Sequence, residues 1–170
     1  IDSGYNQDAM ADLSKILQIN PKHSMALYKR GKVRDKIGDT YGAINDYSAS
    51  LKTNKNQANV YNNRAILLAN SGDIDGAIKD YTEAIKYNPN YSLAFNNRGT
   101  ARASKGEHRA AISDYSKALE ISPNYATALS NRGISFEALG NMKNACLDWK
   151  KAAEFGHQDS YRWHQNQCKI

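Results

Sequence analysis

A chain of 170 residues, 41% hydrophobic and 24% charged with only three prolines, has the composition of an ordinary folded protein, which excludes wholesale disorder, collagen and a disulfide scaffold. No apolar run approaches the roughly 18 residues that cross a bilayer, and the opening residues lack the basic start and apolar stretch of a signal peptide, so the expectation is no membrane insertion, and a cytoplasmic setting fits. Twenty-three Lys and Arg against seventeen Asp and Glu give a net charge of +6, a mild basic balance that permits acidic partners without demanding nucleic acid. Two cysteines, Cys146 and Cys168, are too few to name a redox compartment.

One period organises the chain. Gly4, Gly38, Gly72, Gly106 and Gly140 stand 34 residues apart, and Ala9, Ala43, Ala77, Ala111 and Ala145 repeat the step. So do Leu13, Tyr47, Tyr81, Tyr115 and Trp149, and Pro21, Pro89 and Pro123, with Lys55 and His157 in the remaining slots of the last column. A fixed period of this size is the signature of a repeat array. Within one period the apolar residues keep helical spacing: Val60, Tyr61, Arg64, Ala65, Leu67 and Leu68 outline one helix, and Ala77, Ile78, Tyr81, Ala84 and Ile85 a second. Gly72 supplies the reversal between them, Asp73 caps the second helix, and Asn88 and Pro89 stop it. Each period is a helical hairpin. Small residues on the first helix (Gly31, Ala65, Gly99, Gly133) and on the second (the alanine column) allow close approach, while Leu27, Tyr61, Phe95 and Leu129 fill the space beside the aromatic column. Most of the eleven tyrosines are therefore expected in the core.

The succession Tyr61, Ala65, Gly72, Ala77, Tyr81, Ala84 and Pro89 resembles the tetratricopeptide repeat (TPR) family, and the columns carry that resemblance over nearly the whole chain. It implies an all-α fold, a right-handed superhelical solenoid of antiparallel helix hairpins with a C-terminal capping helix, forming a single domain over residues 1–170. In chain order, residues 1–23 match the second helix of a truncated first repeat, with Gly4 as its inter-helix glycine. Repeats follow at 24–57, 58–91, 92–125 and 126–157. Residues 158–170 read as the capping helix, with Trp163 in the slot of Leu27 and a polar end at Gln165, Asn166 and Gln167. Starting in mid-repeat at Ile1, the chain reads as a fragment or processed product. Its closing stretch, Cys146 to Ala153 before Gly156, loosely resembles the last repeats of bacterial members.

One departure from the family is informative. Arg30, Arg64, Arg98 and Arg132 occupy a slot where the family usually has Leu, and Asp46, Asp80, Asp114 and Asp148 follow at a constant 16 residues. With Arg on the first helix and Asp on the second, a repeated structural pair is expected, the alternative being solvated charges.

The resemblance places the first helices along a concave groove. Its rows are Lys29, Asn63, Asn97 and Asn131; Lys32, Ile66, Thr100 and Ile134; and Lys36, Asn70, Ser104 and Ala138. A carboxamide offers both donor and acceptor, so the asparagines suit the main chain of an extended peptide, or else they support neighbouring helices. Lys29, Lys32 and Lys36 share one helix face, with Arg34 on another, which suggests a site for an acidic group or a C-terminal carboxylate; a solvated charged face is the alternative. The family's two-carboxylate clamp for chaperone tails is not supported, because Tyr28 with Lys32, Asn62 with Ile66, Leu93 with Asn97 and Thr127 with Asn131 stand where it needs Lys–Asn and Lys–Arg pairs.

No cofactor is implied. His157, His164, Cys146 and Cys168 lack zinc-motif spacing. The two cysteines read as buried free thiols, the alternative being a disulfide pinning the capping helix to the last hairpin. No catalytic trio, phosphate loop or carboxylate cluster stands out. The leading function is a non-enzymatic protein-protein interaction scaffold that binds a peptide or protein segment in the groove. RNA binding, which related helical-hairpin repeats perform, is disfavoured because the groove beyond the second repeat is nearly neutral. A regulatory domain of a larger enzyme is the other alternative. Apolar surface on the truncated first hairpin suggests self-association.

Overall fold

The computed structural model describes residues 3–168. They are helical throughout, with no strand among the described residues, and divide into two compact units, 1–87 and 88–170. The first unit holds α1 (Ser3–Ile19), α2 (Ser24–Lys36), α3 (Thr40–Thr53), α4 (Ala58–Asn70) and α5 (Ile74–Tyr87). In the second are α6 (Ser92–Ser104), α7 (His108–Ile121), α8 (Ala126–Ala138), α9 (Met142–Glu154) and α10 (Gln158–Gln167). The fold is an all-α array of helix hairpins: α2 packs on α3 and α4 on α5 in the first unit, and α6 on α7 and α8 on α9 in the second. Gly4 lies inside α1 rather than between two helices of the described chain.

Local chemistry sets the helix ends. Gly72 turns the chain at φ 89°, a left-handed conformation that costs a residue with a Cβ about 1 kcal/mol or more. The Asp73 carboxylate then accepts from the Gly76 amide at 2.9 Å, and Asp39 does the same for Gly42 at 2.9 Å, each satisfying a donor that has no partner within the helix. At the starts of α2 and α10 a histidine does the capping: His23 Nδ1 accepts from the Ala26 amide and His157 Nδ1 from the Ser160 amide. The latter bond gives His157 a structural role at the start of α10.

In three of the hairpins a ring lies close against a glycine of the facing helix. Tyr47 is fully buried against Gly31, where a Cβ would stand 2.6 Å from the ring. Tyr115 meets Gly99 in the same way, at 2.7 Å, and Trp149 crowds Gly133 through its Nε1 edge. Tyr61 stacks on Tyr87 with centroids 5.7 Å apart. Among the described residues four tyrosines, Tyr47, Tyr61, Tyr81 and Tyr115, are buried. The expectation that most tyrosines are core is thereby corrected: Tyr41 and Tyr161 stand largely in solvent and Tyr28, Tyr87, Tyr91 and Tyr125 are half-buried, because they fall outside the two large-residue columns. At the other end of the first unit α1 packs on α2 through Leu13, Leu17, Ala26 and Leu27, and leaves Ile19 87% exposed.

The cysteines correct a second expectation. Cys146 of α9 and Cys168, which closes α10, form a disulfide with their Cα atoms 5.6 Å apart, and no cysteine is free. Neither side chain is buried. The packing of α10 on α9, where Trp163 lies 5.5 Å from Trp149 between centroids, brings the two thiols within bridging range.

Two consequences are measurable. Gly99→Ala, which drives a methyl into the Tyr115 ring, is expected to lower stability by about 1–3 kcal/mol in a denaturant titration, although alanine is the better helix former. Reduction of Cys146–Cys168, which opens a loop with a sequence separation of 22, is expected to cost roughly 3 kcal/mol on the chain-entropy scale, read as a lower midpoint in dithiothreitol than in its absence.

Candidate functional site

The polar interior comes first, because it decides which charges are left for a ligand. Arg30 grips Asp46 with Nη2 to Oδ1 at 2.6 Å and Nε to Oδ2 at 2.8 Å. The same two-bond fork joins Arg64 to Asp80 at 2.6 and 2.7 Å, Arg98 to Asp114 at 3.0 and 2.7 Å, and Arg132 to Asp148 at 2.7 and 2.8 Å. All four aspartates are buried, at 3–6% exposure. The hydrogen bonds that Arg30 donates to Asp46 raise it above the ordinary guanidinium value, and those to Asp80 do the same for Arg64, against the opposing effect of burial in both cases.

Two features of this interior are additional to the 16-residue pairing. Arg64 Nη1 donates to Ser48 Oγ at 2.9 Å and Arg132 Nη1 to Ser116 Oγ at 3.0 Å, so each of these arginines joins its own hairpin to the helix before it. The signal was present in the sequence: Ser48, Thr82 and Ser116 keep the 34-residue step, two places after the aspartates. In addition, Asp46 receives a second guanidinium, Arg34 Nη1 at 3.0 Å, and Asp114 receives Arg102 Nη1 at 2.7 Å. Arg34 also lies 3.5 Å from Asp39 and donates to the Gly42 carbonyl at 3.1 Å, so its charge belongs to the hairpin interior.

On the opposite face of α2 the situation differs. At 3.6 residues per turn, Lys29, Lys32 and Lys36 form one stripe, turned about half a circle from the stripe of Leu27, Arg30 and Arg34. All three lysines are exposed. Lys32 Nζ stands 5.8 Å from the centroid of Tyr28, a contact that holds the side chain while leaving the ammonium charge unneutralised. Lys29 and Lys36 have no ion pair among the described residues. On α4 of the same unit Asn63 and Ile66 are half-buried and Asn70 is exposed. Asn63 lies against the Tyr47 phenol, whose pKa burial raises and Asn63 lowers.

In the second unit the asparagines are tied to one another. Asn131 Nδ2 donates to Asn96 Oδ1 at 3.2 Å and lies 3.4 Å from Thr100 Oγ1, while Asn96 Nδ2 donates to Asn97 Oδ1 at 3.3 Å. Thr100 is further held by its own bond to the Asn96 carbonyl at 3.1 Å and accepts from the Tyr115 hydroxyl at 3.3 Å. Asn131 thus joins α8 to α6, and Asn96, buried next to the groove row, is the partner that periodicity alone did not single out. Ile134 and Ala138 of α8 are exposed.

Two segments of the chain match family models: residues 58–91 a tetratricopeptide repeat model and residues 99–140 a TPR repeat model. Among curated proteins none matches. Among solved structures, the crystal structure of MamA is 26% identical, with a TM-score of 0.86 over 93% of this chain and 92% of that one. YrrB, described as a TPR protein with an unusual peptide-binding site, is 20% identical, with a TM-score of 0.84 over 95% and 84% of the two chains. Pseudomonas aeruginosa PilF is 21% identical, with a TM-score of 0.81 over 91% and 71%.

The Arg64–Asp80 pair gives a direct test of the interior. Asp80→Leu alone strands a guanidinium and is expected to cost about 3–5 kcal/mol. The double change Arg64→Leu with Asp80→Leu is expected to recover most of that loss, because it removes both charges together. Equilibrium unfolding of the two single variants and the double variant reads the coupling.

Proposed function

The chain is a tetratricopeptide-repeat protein, and from that premise we propose that it is a non-enzymatic protein-protein interaction scaffold whose repeat-opening helices receive an extended peptide bearing acidic groups. The observation that carries this reading is the stripe of Lys29, Lys32 and Lys36 on the outward face of α2, which lies away from the Arg–Asp interior and has no carboxylate bound to it among the described residues. A side chain or C-terminal carboxylate of a partner neutralises these charges at little desolvation cost, because the lysines remain wet. Asn63, Ile66 and Asn70 on α4 extend the surface with carboxamides for peptide main chain and one apolar contact. Within the second unit Asn97, Thr100 and Asn131 form a polar surface of their own, where Asn131 already spends a donor on Asn96. YrrB shares the fold and has a peptide-binding site, which supports the same use of this one.

Fluorescence anisotropy with a panel of labelled peptides, acidic and neutral, checks the reading. Acidic peptides are expected to bind more tightly, with an affinity that falls as salt rises. Changing Lys29, Lys32 and Lys36 together to Glu is expected to weaken them at least tenfold, since removing each exposed ion pair costs about 0.2–1 kcal/mol and each reversal adds repulsion. Equal binding of acidic and neutral peptides by the wild type and the variant overturns it.

A further inference from the structure

The arginine column is not completed in the same way in every repeat. Arg64 and Arg132 each direct their third nitrogen, Nη1, to a serine of the preceding helix, Ser48 and Ser116. One period before Ser48 stands Ser14, on α1, and the arginine that corresponds to it is Arg30. Arg30 makes both bonds of its fork to Asp46, yet no hydrogen bond joins its Nη1 to Ser14 among the described residues. Instead, Ser14 and Arg30 are two walls of a cavity of about 300 Å³, completed by Leu17, Gln18, Pro21 and Leu27. An adjoining cavity of about 430 Å³ shares Pro21 and Leu27 and is rimmed by Lys22, Ala49, Lys52 and Thr53. No acidic side chain among the described residues lines either space.

Arg34 and Arg102 add a second guanidinium to Asp46 and Asp114, and Arg34 is itself paired with Asp39 at 3.5 Å, so its charge is compensated. What sets this place apart is the third nitrogen of Arg30, which the neighbouring helix does not take up. Between α1 and α2 the chain therefore combines an unused guanidinium edge, a hydroxyl, a carboxamide and an apolar floor.

We propose that this cavity is a binding site for an aliphatic carboxylate, whose oxygens lie on Arg30 Nη1 and the Ser14 hydroxyl and whose hydrocarbon chain covers Pro21, Leu17 and Leu27. A carboxylate suits the site because it accepts from a guanidinium edge and a hydroxyl together, and because an apolar stem removes the floor from water. The site is distinct from the lysine stripe, which lies on the opposite face of α2, so either can fail without the other. The same chemistry is presented by a small aliphatic acid and by the C-terminal residue of a peptide ending in leucine.

The test is an amide chemical-shift titration of the full chain with hexanoate, with hexanamide as the uncharged isostere, and with an acetylated peptide ending in Leu as free acid or as amide. Hexanoate is expected to shift Ser14, Gln18 and Leu27 saturably, and hexanamide to require at least tenfold higher concentration. Saturation by the free-acid peptide at concentrations below those needed for hexanoate identifies a peptide terminus as the source, and the reverse order a small acid. Ser14→Asp, which places a tethered carboxylate beside Arg30, is expected to abolish the hexanoate shifts and raise the unfolding midpoint; Gln18→Glu, at an exposed position, is expected to weaken hexanoate at least fivefold by repulsion. Equal shifts from hexanoate and hexanamide, shifts confined to Lys29, Lys32 and Lys36, or undiminished hexanoate binding by both variants overturns the proposal.

Discussion

A buried carboxylate is the constraint to which each hairpin is built. Asp46, Asp80, Asp114 and Asp148 each sit directly before the large aromatic residue that fills the hairpin, in positions with almost no access to water. An ion so placed loses several kcal/mol of hydration, and the loss is offset only by a guanidinium that meets both oxygens. Because the arginine comes from the other helix, the pair acts as a register pin. A slip of one residue between the two helices strands two charges. A leucine in the arginine slot would penalise such a slip less. The additional bonds of Arg64 to Ser48 and Arg132 to Ser116 extend the pin beyond its own hairpin.

Much of this was legible in the residues because the array repeats. A helical hairpin of 34 residues leaves the same trace each time: a glycine where φ must be positive, a small residue where a ring lies against backbone, and a ring to lie there. The interactions that escaped reading are those that cross from one period to the next, or that depend on how a long side chain curls. By sequence Arg34 adds a free charge to α2, whereas its guanidinium folds back to Asp46 and Asp39. Asn131 stands in a row of like carboxamides, yet its donor is directed to Asn96. The cysteines, 22 residues apart, have no period to place them, and their meeting depends on the angle at which α10 returns along α9. Gly99 and Ala65 occupy one slot, and whether a methyl fits there depends on tenths of an ångström in ring position, which a sequence column does not record.

The helix α2 shows how one short segment divides its charges. The stripe of Leu27, Arg30 and Arg34 faces inward, where apolar packing and the Asp46 carboxylate engage it. The lysine stripe faces outward and is held by no carboxylate among the described residues. Thirteen residues thus carry five cations of two kinds, and guanidinium and ammonium are sorted by their chemistry: the planar fork goes where geometry is demanded, the strongly hydrated point charge where water remains.

The bridge between Cys146 and Cys168 has a topological consequence. It turns α9, the following turn and α10 into a covalent ring. Stacked hairpins have no long-range core, and they come apart most readily from their ends, since a terminal hairpin has a neighbour on one side only. With the ring closed, α10 is tethered to α9 at both its ends, so it stays beside α9 even when its own packing is lost. Between α1 and α2 there is no such tie: they pack through Leu13, Leu17, Ala26 and Leu27. Disulfide chemistry thus makes the two contacts unequal, since α1 can leave α2 on loss of packing alone, while α10 keeps its tether to α9 until the bridge is reduced.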